Sequence, residues 1–297
     1  MIIPSHVQIE TINGVCSARC PICTIATWTR RPHVMPKDEF GRILERFVPY
    51  RDRIEFLTLH GCAEPLLDRE LPEKVAIAKR MGFRGTGFAT NCTHLGEAKA
   101  RALLEAGLDT LICSVDGLTK KTHEAIRVGT DFDEVVANVM GFLRLRQEVG
   151  HTRVIVRFIR QEANRAEWPE FHKLWSARLD PARGDEVTVF DIHNWGSKLE
   201  NYRAADLNRD RENPAAVCQD VFQRMFIYSN GNVALCCADD NGFFDLGNVI
   251  EGDPIEIFNG PIFTRYREMM KQGRMAELHY CDACTIPRSR ALKRTER

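Results

Sequence analysis

The chain has 297 residues, and its 41 lysines and arginines balance its 41 aspartates and glutamates, so the formal net charge is zero. This balance excludes the strong basic excess that draws a protein to nucleic acid. No apolar run reaches the roughly 18 residues of a membrane-spanning helix, and the first residues lack the features of a signal peptide. We therefore expect a cytoplasmic protein with one large α/β domain and a smaller appendage, or with two domains.

Strand-like and helix-like segments alternate up to about residue 195. Strands are predicted for six apolar, β-rich segments: HVQIETI, IEFLTLHG, GTGFATN, DTLICSVDG, RVIVRFIR and EVTVFDIHNW. Helices are predicted between them for MPKDEFGRILERF, DRELPEKVAIAKRMG, LGEAKARALLEAG, FDEVVANVMGFLRLRQEVG and EWPEFHKLWSARL. Six β-α units in a row predict a parallel sheet with right-handed crossovers. Periodicity alone leaves open whether this sheet closes into a barrel.

The pattern changes over residues 200–216, where ENYRAADLNRDRENPAA is polar and is typical of a linker or surface loop. We place a domain boundary there, between residues 1–205 and residues 206–297. Beyond it, FIYSNGNVALCC predicts a β-hairpin with Asn230-Gly231 in the tight turn. The later segment PIEIFNGPIFTRYREMMKQG predicts a helix or a broken helix.

Eleven cysteines are many for a protein in a reducing compartment, where they serve more often as metal ligands or reactive thiols than as disulfides. Three of them follow the first predicted strand as Cys16-x3-Cys20-x2-Cys23, which is iron–sulfur spacing. Three thiolates can hold three irons of a [4Fe–4S] cube and leave the fourth iron open to a small molecule. The alternatives are a loop of buried cysteines or a zinc site with a distant fourth ligand.

This triplet and the residues at the following strand ends resemble the radical S-adenosylmethionine (radical SAM) enzymes. GCAEP at residues 61–65 is similar to the family's Gly-Gly-Glu-Pro turn, although Ala63 stands where a Gly is usual. TNC at residues 90–92 is similar to Thr-Asn-Gly, and SVDG at residues 114–117 to Ser-x-Asp-Gly. Arg127 resembles an arginine that lies near the SAM carboxylate. The resemblance implies that SAM is bound by Gly61, Ala63, Glu64, Asn91, Ser114 and Arg127.

The same resemblance implies a partial (β/α)6 TIM-like barrel, with its site at the carboxyl ends of the strands. It also implies that the reduced cluster passes one electron to the SAM sulfonium and releases a 5′-deoxyadenosyl radical, which abstracts a hydrogen from the substrate. An electron donor such as flavodoxin or ferredoxin is the expected partner. The protein positions the substrate and excludes water.

A second group of cysteines lies near the end of the chain, at positions 218, 236, 281 and 284. This group resembles the SPASM/twitch extension of radical SAM enzymes, in its short form with one auxiliary [4Fe–4S] cluster. Zinc is the alternative, because Cys-x2-Cys is a common zinc half-site. The implied cofactors are two [4Fe–4S] clusters and SAM. The implied auxiliary ligands are Cys218, Cys236, Cys281 and Cys284.

Cys237 directly follows one of these ligands. In twitch radical SAM epimerases an additional cysteine gives a hydrogen atom to the substrate radical, and Cys237 is the candidate for this role. The alternatives are that Cys237 is a small buried apolar residue, or that it exchanges roles with Cys236 as the ligand. Cys62 and Cys92 are reserve donors for which packing is favoured, and Cys113 is expected in the core.

The chain starts only about fifteen residues before the triplet, which leaves no room for an N-terminal peptide-recognition domain. We therefore expect a small polar substrate, with acids binding its ammonium groups. For each candidate, a salt bridge or a turn cap is the alternative. The candidate substrate residues are Gln8, Glu10, Asp116, Asp191, His193, Asp239 and Asp240.

The predicted activity is that of a radical SAM epimerase inverting a carbon of an aminoglycoside or related amino sugar. The chain is also similar to twitch dehydrogenases of aminoglycoside pathways that act on 2-deoxy-scyllo-inosamine, so dehydrogenation of an aminocyclitol carbinol is an alternative. A peptide-modifying radical SAM enzyme and a non-catalytic iron–sulfur or zinc protein are further alternatives.

Overall fold

The computed structural model describes residues 1–196, 199, 217–282 and 284–286. The linker predicted over residues 200–216 and the domain boundary near residue 205 lie outside the described residues. Within the described part, no helix is long and apolar enough to cross a membrane.

Most strands of the described residues lie in the predicted segments, whereas the short two-stranded sheet of residues 12–13 and 33–34 was not predicted. They are β1 (His6–Ile9), β2 (Ile12–Asn13), β3 (His33–Val34), β4 (Phe56–Thr58), β5 (Thr86–Thr90), β6 (Thr110–Ser114), β7 (Arg153–Arg160), β8 (Glu186–Asp191), β9 (Arg224–Ile227) and β10 (Val233–Ala234). The helices are α1 (Lys37–Phe47), α2 (Leu71–Arg80), α3 (Glu97–Glu105), α4 (Lys120–Ile126), α5 (Phe132–Glu148), α6 (Trp168–Ser176), α7 (Asp220–Gln223), α8 (Pro254–Phe258) and α9 (Pro261–Lys271).

One sheet of eight strands organises the described residues, in the order β10-β9-β1-β4-β5-β6-β7-β8. Every neighbouring pair is parallel except β9 and β10. The six predicted strands therefore lie side by side in sequence order, as successive β-α units require. The predicted fold class, a partial (β/α)6 barrel, is confirmed.

The core forms between this sheet and its helices. Alternation along β6 places Leu111 and Cys113 in the core, both fully buried, while Ser114 faces a cavity. Cys92 is also fully buried in this core. The packing expected of Cys113 and Cys92 is therefore observed.

The C-terminal segment forms the predicted hairpin, with Ile227 opposite Val233 and Gly231 in the turn at a φ of +83°. The predicted helix after it is broken at Asn259 and Gly260, between α8 and α9. Because β9 pairs in parallel with β1, the hairpin extends the sheet of the N-terminal strands.

Candidate active site

A cavity opens at the carboxyl ends of the parallel strands, where such folds place their active sites. Its lining brings together the complete cysteine triplet and all the residues predicted to bind SAM. These residues follow β1, β4, β5 and β6, so strand ends far apart in sequence converge on one site. The lining includes Cys16, Cys20, Cys23, Gly61, Ala63, Glu64, Asn91, Ser114 and Arg127.

The triplet thiols are held by polar neighbours. Asn91 Nδ2 lies 3.8 Å from Cys16 Sγ, and Arg127 Nη1 lies 3.9 Å from Cys20 Sγ. Burial raises the pKa of Cys16 to about 11, so its thiolate needs a compensating positive charge. Iron supplies such a charge, and hydrogen bonds to the sulfurs tune a cluster.

The three thiols line one cavity, and Cys20 and Cys23 lie close enough to Cys16 to raise its pKa. In residues 1–196, 199, 217–282 and 284–286, no three Cys, His, Asp or Glu side chains could hold a single metal ion. A cubane cluster instead takes one thiolate at each of several irons, so its ligands lie apart. The triplet thus fits a cluster, with Cys16, Cys20 and Cys23 as its ligands.

Glu64 connects the ends of β4 and β5. Its Oε1 accepts hydrogen bonds from Leu66 N at 3.1 Å and Thr90 Oγ1 at 2.7 Å, and its Oε2 accepts one from Asn91 N at 2.9 Å. Burial raises the pKa of Glu64, while these bonds oppose that shift. A carboxylate has about four acceptor positions, so one remains for a ligand amino group.

Two backbone positions show how the local sequence forms this site. A Cβ on Gly61 would lie 2.5 Å from Glu10 Oε2, so only glycine fits there. Cys92 has a φ of 65°, the left-handed conformation that glycine adopts most easily. The similarity of residues 90–92 to Thr-Asn-Gly therefore extends to the backbone, although Cys92 has a side chain.

Asp116, one of the predicted substrate residues, is not among the residues that line the cavity. Its Oδ2 accepts from Arg127 Nε at 2.6 Å, its Oδ1 accepts from Ile159 N at 2.6 Å, and it is fully buried. Burial disfavours the charge of Arg127, but Asp116 and Cys20 outweigh this and raise its pKa. Asp116 therefore orients Arg127 toward the triplet.

The other candidate substrate residues also have protein partners. Glu10 is paired with Arg30, and Asp191 with Arg160, each through two hydrogen bonds. The His193 ring packs on Trp195 with centroids 4.6 Å apart. The remaining two acids, Asp239 and Asp240, are buried. The Asp239 carboxylate accepts a hydrogen bond from Phe243 N, and the Asp240 carboxylate accepts one from Trp28 Nε1.

Cys236 and Cys237 pack against different apolar residues. Cys236 packs with Cys284 beside Ala238 and Ile286, whereas Cys237 packs against Phe226, Tyr228 and Ala234. Burial raises the pKa of Cys281, and its neighbours Cys284 and Cys218 raise it further. The four predicted ligands, Cys218, Cys236, Cys281 and Cys284, are thus close enough to interact. Cys237 also lies close enough to Cys236 and Cys284 to raise the pKa of both thiols, so it too lies beside the predicted ligands.

The segment after β8 joins the two cysteine groups. Trp195 Nε1 donates to Ile22 O at 2.9 Å, within the triplet loop, and the indole packs beside Cys236. Asn194 and Thr285 exchange hydrogen bonds that hold the C-terminal cysteine loop. This short segment fixes both groups relative to each other.

Two cavity residues, His60 and Arg157, were not predicted from the sequence. Arg157 lies on β7, where Val154, Val156 and Phe158 are fully buried and the alternate positions face the other side. This alternation in RVIVRFIR was the available signal. His60 directly precedes the GCAEP turn and lies two residues after the end of β4.

Both parts of the chain are similar to known proteins. The model of the radical SAM superfamily matches residues 11–162, and that of the SPASM iron–sulfur cluster-binding domain matches residues 218–285. A probable GTP 3′,8-cyclase of Saccharolobus islandicus is 27% identical over 186 residues, covering 63% of this chain and 56% of that protein. The 7,8-dihydro-6-hydroxymethylpterin dimethyltransferase of Methanocaldococcus jannaschii is 29% identical over 121 residues, covering 39% and 23%. The chain thus spans about half the length of the cyclases, or less of the methyltransferase.

Solved structures share the fold. BtrN in complex with AdoMet and 2-DOIA has a TM-score of 0.65 at 18% identity, covering 95% of this chain and 93% of that one. Streptococcus suis SuiB bound to precursor peptide SuiA has a TM-score of 0.69 at 14% identity, covering 97% and 71%. From the matched models, this chain belongs to the radical SAM superfamily, carries a SPASM iron–sulfur cluster-binding domain, and is an enzyme that uses iron–sulfur clusters and SAM.

Proposed function

We propose that this enzyme is a radical SAM epimerase that inverts a carbon centre of a small, sugar-like substrate, with Cys237 as the hydrogen donor. When bound, the first cluster and SAM supply a 5′-deoxyadenosyl radical. The triplet would hold that cluster, and the cavity residues Glu64, Asn91, Ser114 and Arg127 would hold SAM. The return of a hydrogen atom to the substrate radical then requires a cysteine thiol near the cavity.

The position of Cys237 carries this proposal. Arg224 Nη1 lies 3.6 Å from Cys237 Sγ and 3.4 Å from Gln8 Oε1. Gln8 Nε2 in turn donates to His60 O at 2.8 Å, and His60 lines the cavity. Cys237 itself is not among the residues that line the cavity, and Arg224 and Gln8 connect it to them.

The thiol would complete the inversion. One face of the substrate carbon loses its hydrogen atom, and Cys237 gives a hydrogen atom to the opposite face, leaving a thiyl radical. The S–H bond is weak enough for this transfer. One electron from an external reductant and one proton from solvent would regenerate the thiol, and an auxiliary cluster would supply a redox group nearby. Cys218, Cys236, Cys281 and Cys284 would hold that cluster beside Cys237.

The test is anaerobic turnover in heavy water with SAM, a reductant and a panel of amino sugars, aminocyclitols and short peptides. We expect a product about one mass unit heavier with one inverted stereocentre, because a thiol exchanges its hydrogen with solvent. Cys237→Ala should still form 5′-deoxyadenosine but give no inverted product. Cys113→Ala, a core thiol, is the control.

Other outcomes would identify another reaction. A product about two mass units lighter would mean that hydrogen is removed and not returned, which is dehydrogenation. Normal inversion by Cys237→Ala would transfer the donor role to Cys62, which lines the cavity. Turnover of the peptides alone would make the enzyme a peptide modifier.

A further inference from the structure

We infer that the substrate carries an anionic oxygen group, a carboxylate or a phosphate, which Arg157 and His60 bind in the cavity. The inference rests on the proposed function only in that the substrate is placed in this cavity. It holds for epimerisation and for dehydrogenation alike, because both begin with the same bound substrate. It adds a charge requirement to the sugar-like substrate class.

Arg157 is a cation that forms no ion pair within the described residues. Its Nη2 donates to Ser114 Oγ at 2.8 Å, while its Nε is buried and has no hydrogen-bond partner in the described residues. Among those residues, no carboxylate lies within ion-pair distance of Arg157. Three other arginines near this end of the sheet do have carboxylate partners: Arg30, Arg127 and Arg160.

A charged guanidinium in this position destabilises the protein as long as no anion is bound. Burial and the nearby charge of Arg127 lower the pKa of Arg157 to about 10, which leaves it charged at neutral pH. A buried charge without a partner destabilises the fold. A planar guanidinium binds carboxylate or phosphate oxygens through two parallel hydrogen bonds. Arg157 lines the cavity, and the described residues leave its Nε without an acceptor.

His60 supplies a second donor. Its Nδ1 accepts a hydrogen bond from Ala89 N at 3.3 Å, so in the neutral ring the proton is on Nε2. Burial, followed by the charges of Arg157 and Arg224, lowers the pKa of His60 to about 3 and keeps the ring neutral. His60 therefore offers an N–H beside Arg157, which suits an oxygen acceptor.

The acids expected to bind an amino group offer no comparable site. Glu10, Asp116 and Asp191 each have an arginine partner, and the buried carboxylates of Asp239 and Asp240 accept hydrogen bonds from Phe243 N and Trp28 Nε1. The charge that lacks a partner in this cavity is positive. An anionic group on the substrate matches it.

The main rival is that Arg157 binds the carboxylate of SAM. The test must therefore separate SAM from substrate. It measures the dissociation constants of glucosamine and glucosamine 6-phosphate, and of glucose and glucuronate, with the oxidised, SAM-loaded holoenzyme. It also measures the KM for SAM in substrate-free reductive cleavage. The variants are Arg157→Gln and Arg157→Lys, with Arg153→Gln on the same face of β7 as the control.

We expect the anionic member of a pair to bind at least about tenfold more tightly than the neutral one, as one charge-assisted contact allows. The phosphate and carboxylate pairs show which anion is preferred. Arg157→Gln should abolish the preference and leave the KM for SAM within about twofold. Arg157→Lys should keep part of the preference, which shows that charge and not folding is responsible.

Two outcomes would overturn the inference. The first is equal binding, or no binding, of the anionic members by the unchanged enzyme. The second is a large rise in the KM for SAM in Arg157→Gln, which would assign Arg157 to the SAM carboxylate. Neither depends on Cys237, so failure of the epimerase proposal would be recognised separately, by the stereochemistry of the product.

Discussion

Arg30 and Glu10 form a two-pronged ion pair, with Nη1–Oε1 at 2.7 Å and Nη2–Oε2 at 2.8 Å. Glu10 follows β1, is 1% exposed, and also accepts a hydrogen bond from Ser229 N. Arg30 Nε donates to Asp240 O at 2.7 Å. The pair therefore joins the loop after the triplet to the first strand and to the C-terminal segment. It also fills the space beneath Gly61.

Breaking this pair should destabilise the protein. In Glu10→Gln the half-buried guanidinium of Arg30 loses the counter-charge of the buried Glu10 carboxylate, and we expect a loss of about 3 kcal/mol in the free energy of unfolding. Glu97→Gln removes an exposed i,i+4 partner of Arg101 and should cost less than about 0.5 kcal/mol. Anaerobic urea unfolding measures both. Equal stabilities would mean that the Glu10 pair contributes nothing.

Iron analysis should separate the two cysteine groups. The reconstituted enzyme should hold about eight irons per chain, from two [4Fe–4S] clusters. Cys218→Ala should lose about half of them and still cleave SAM, whereas Cys20→Ala should lose SAM cleavage because its cluster cannot assemble. Cys237→Ala should keep all the iron. Loss of iron in that variant, together with full iron in Cys236→Ala, would reverse the assignment of Cys236 and Cys237.

At position 92, glycine should give a more stable protein than alanine, which is the reverse of the usual order. Both Cys92→Ala and Cys92→Gly remove a fully buried thiol. Only glycine relieves the left-handed backbone at a φ of 65°, worth roughly 1–2 kcal/mol. We therefore expect Cys92→Gly to be the more stable of the two by about 1 kcal/mol in urea unfolding. A more stable Cys92→Ala would show that this strain is absent.

Acid should weaken the fold through buried neutral histidines. Burial lowers the pKa of His123 to about 4, although Asp116 opposes this, and its buried Nε2 has no partner in the described residues. Between about pH 6.5 and pH 4 the unfolded ring binds a proton that the folded ring does not. The free energy of unfolding therefore falls as the pH drops through this range, by up to about 1.4 kcal/mol per pH unit.

His123→Asn isolates this contribution. Asparagine can still accept the hydrogen bond that Asp116 N donates to His123 Nδ1 at 3.2 Å, but it does not titrate. The variant should lose less stability than the unchanged protein between pH 7 and pH 5 in anaerobic urea unfolding. The same pH dependence in both proteins would show that His123 titrates normally in the fold.

Much of the architecture could be predicted because it depends on local signals. The strands alternate or are continuously apolar, and the helices between them have recognisable ends. The triplet and the strand-end motifs were found because their spacing is fixed by one ligand cavity. Short α4 was missed because it lies within a strand-to-helix connection that lacks an apolar period.

The charged residues could not be assigned in the same way. Glu10 meets Arg30, and Asp191 meets Arg160, across sequence separations of 20 and 31 residues. An acid at a strand end looks the same in sequence whether it binds a substrate or an arginine from another element. Only the fold shows that these acids have partners and that, in the part of the chain that the structure describes, Arg157 forms no ion pair.

The pairing of β9 with β1 has a consequence for protein engineering. His6 to Ile9 are each matched by a residue of Arg224 to Ile227, so the C-terminal segment covers one side of the first strand. A truncated chain that ends before residue 217 would expose that edge, and exposed strand edges promote aggregation. A chimaera that exchanges cluster modules between relatives should therefore carry β1 and β9 together as one unit.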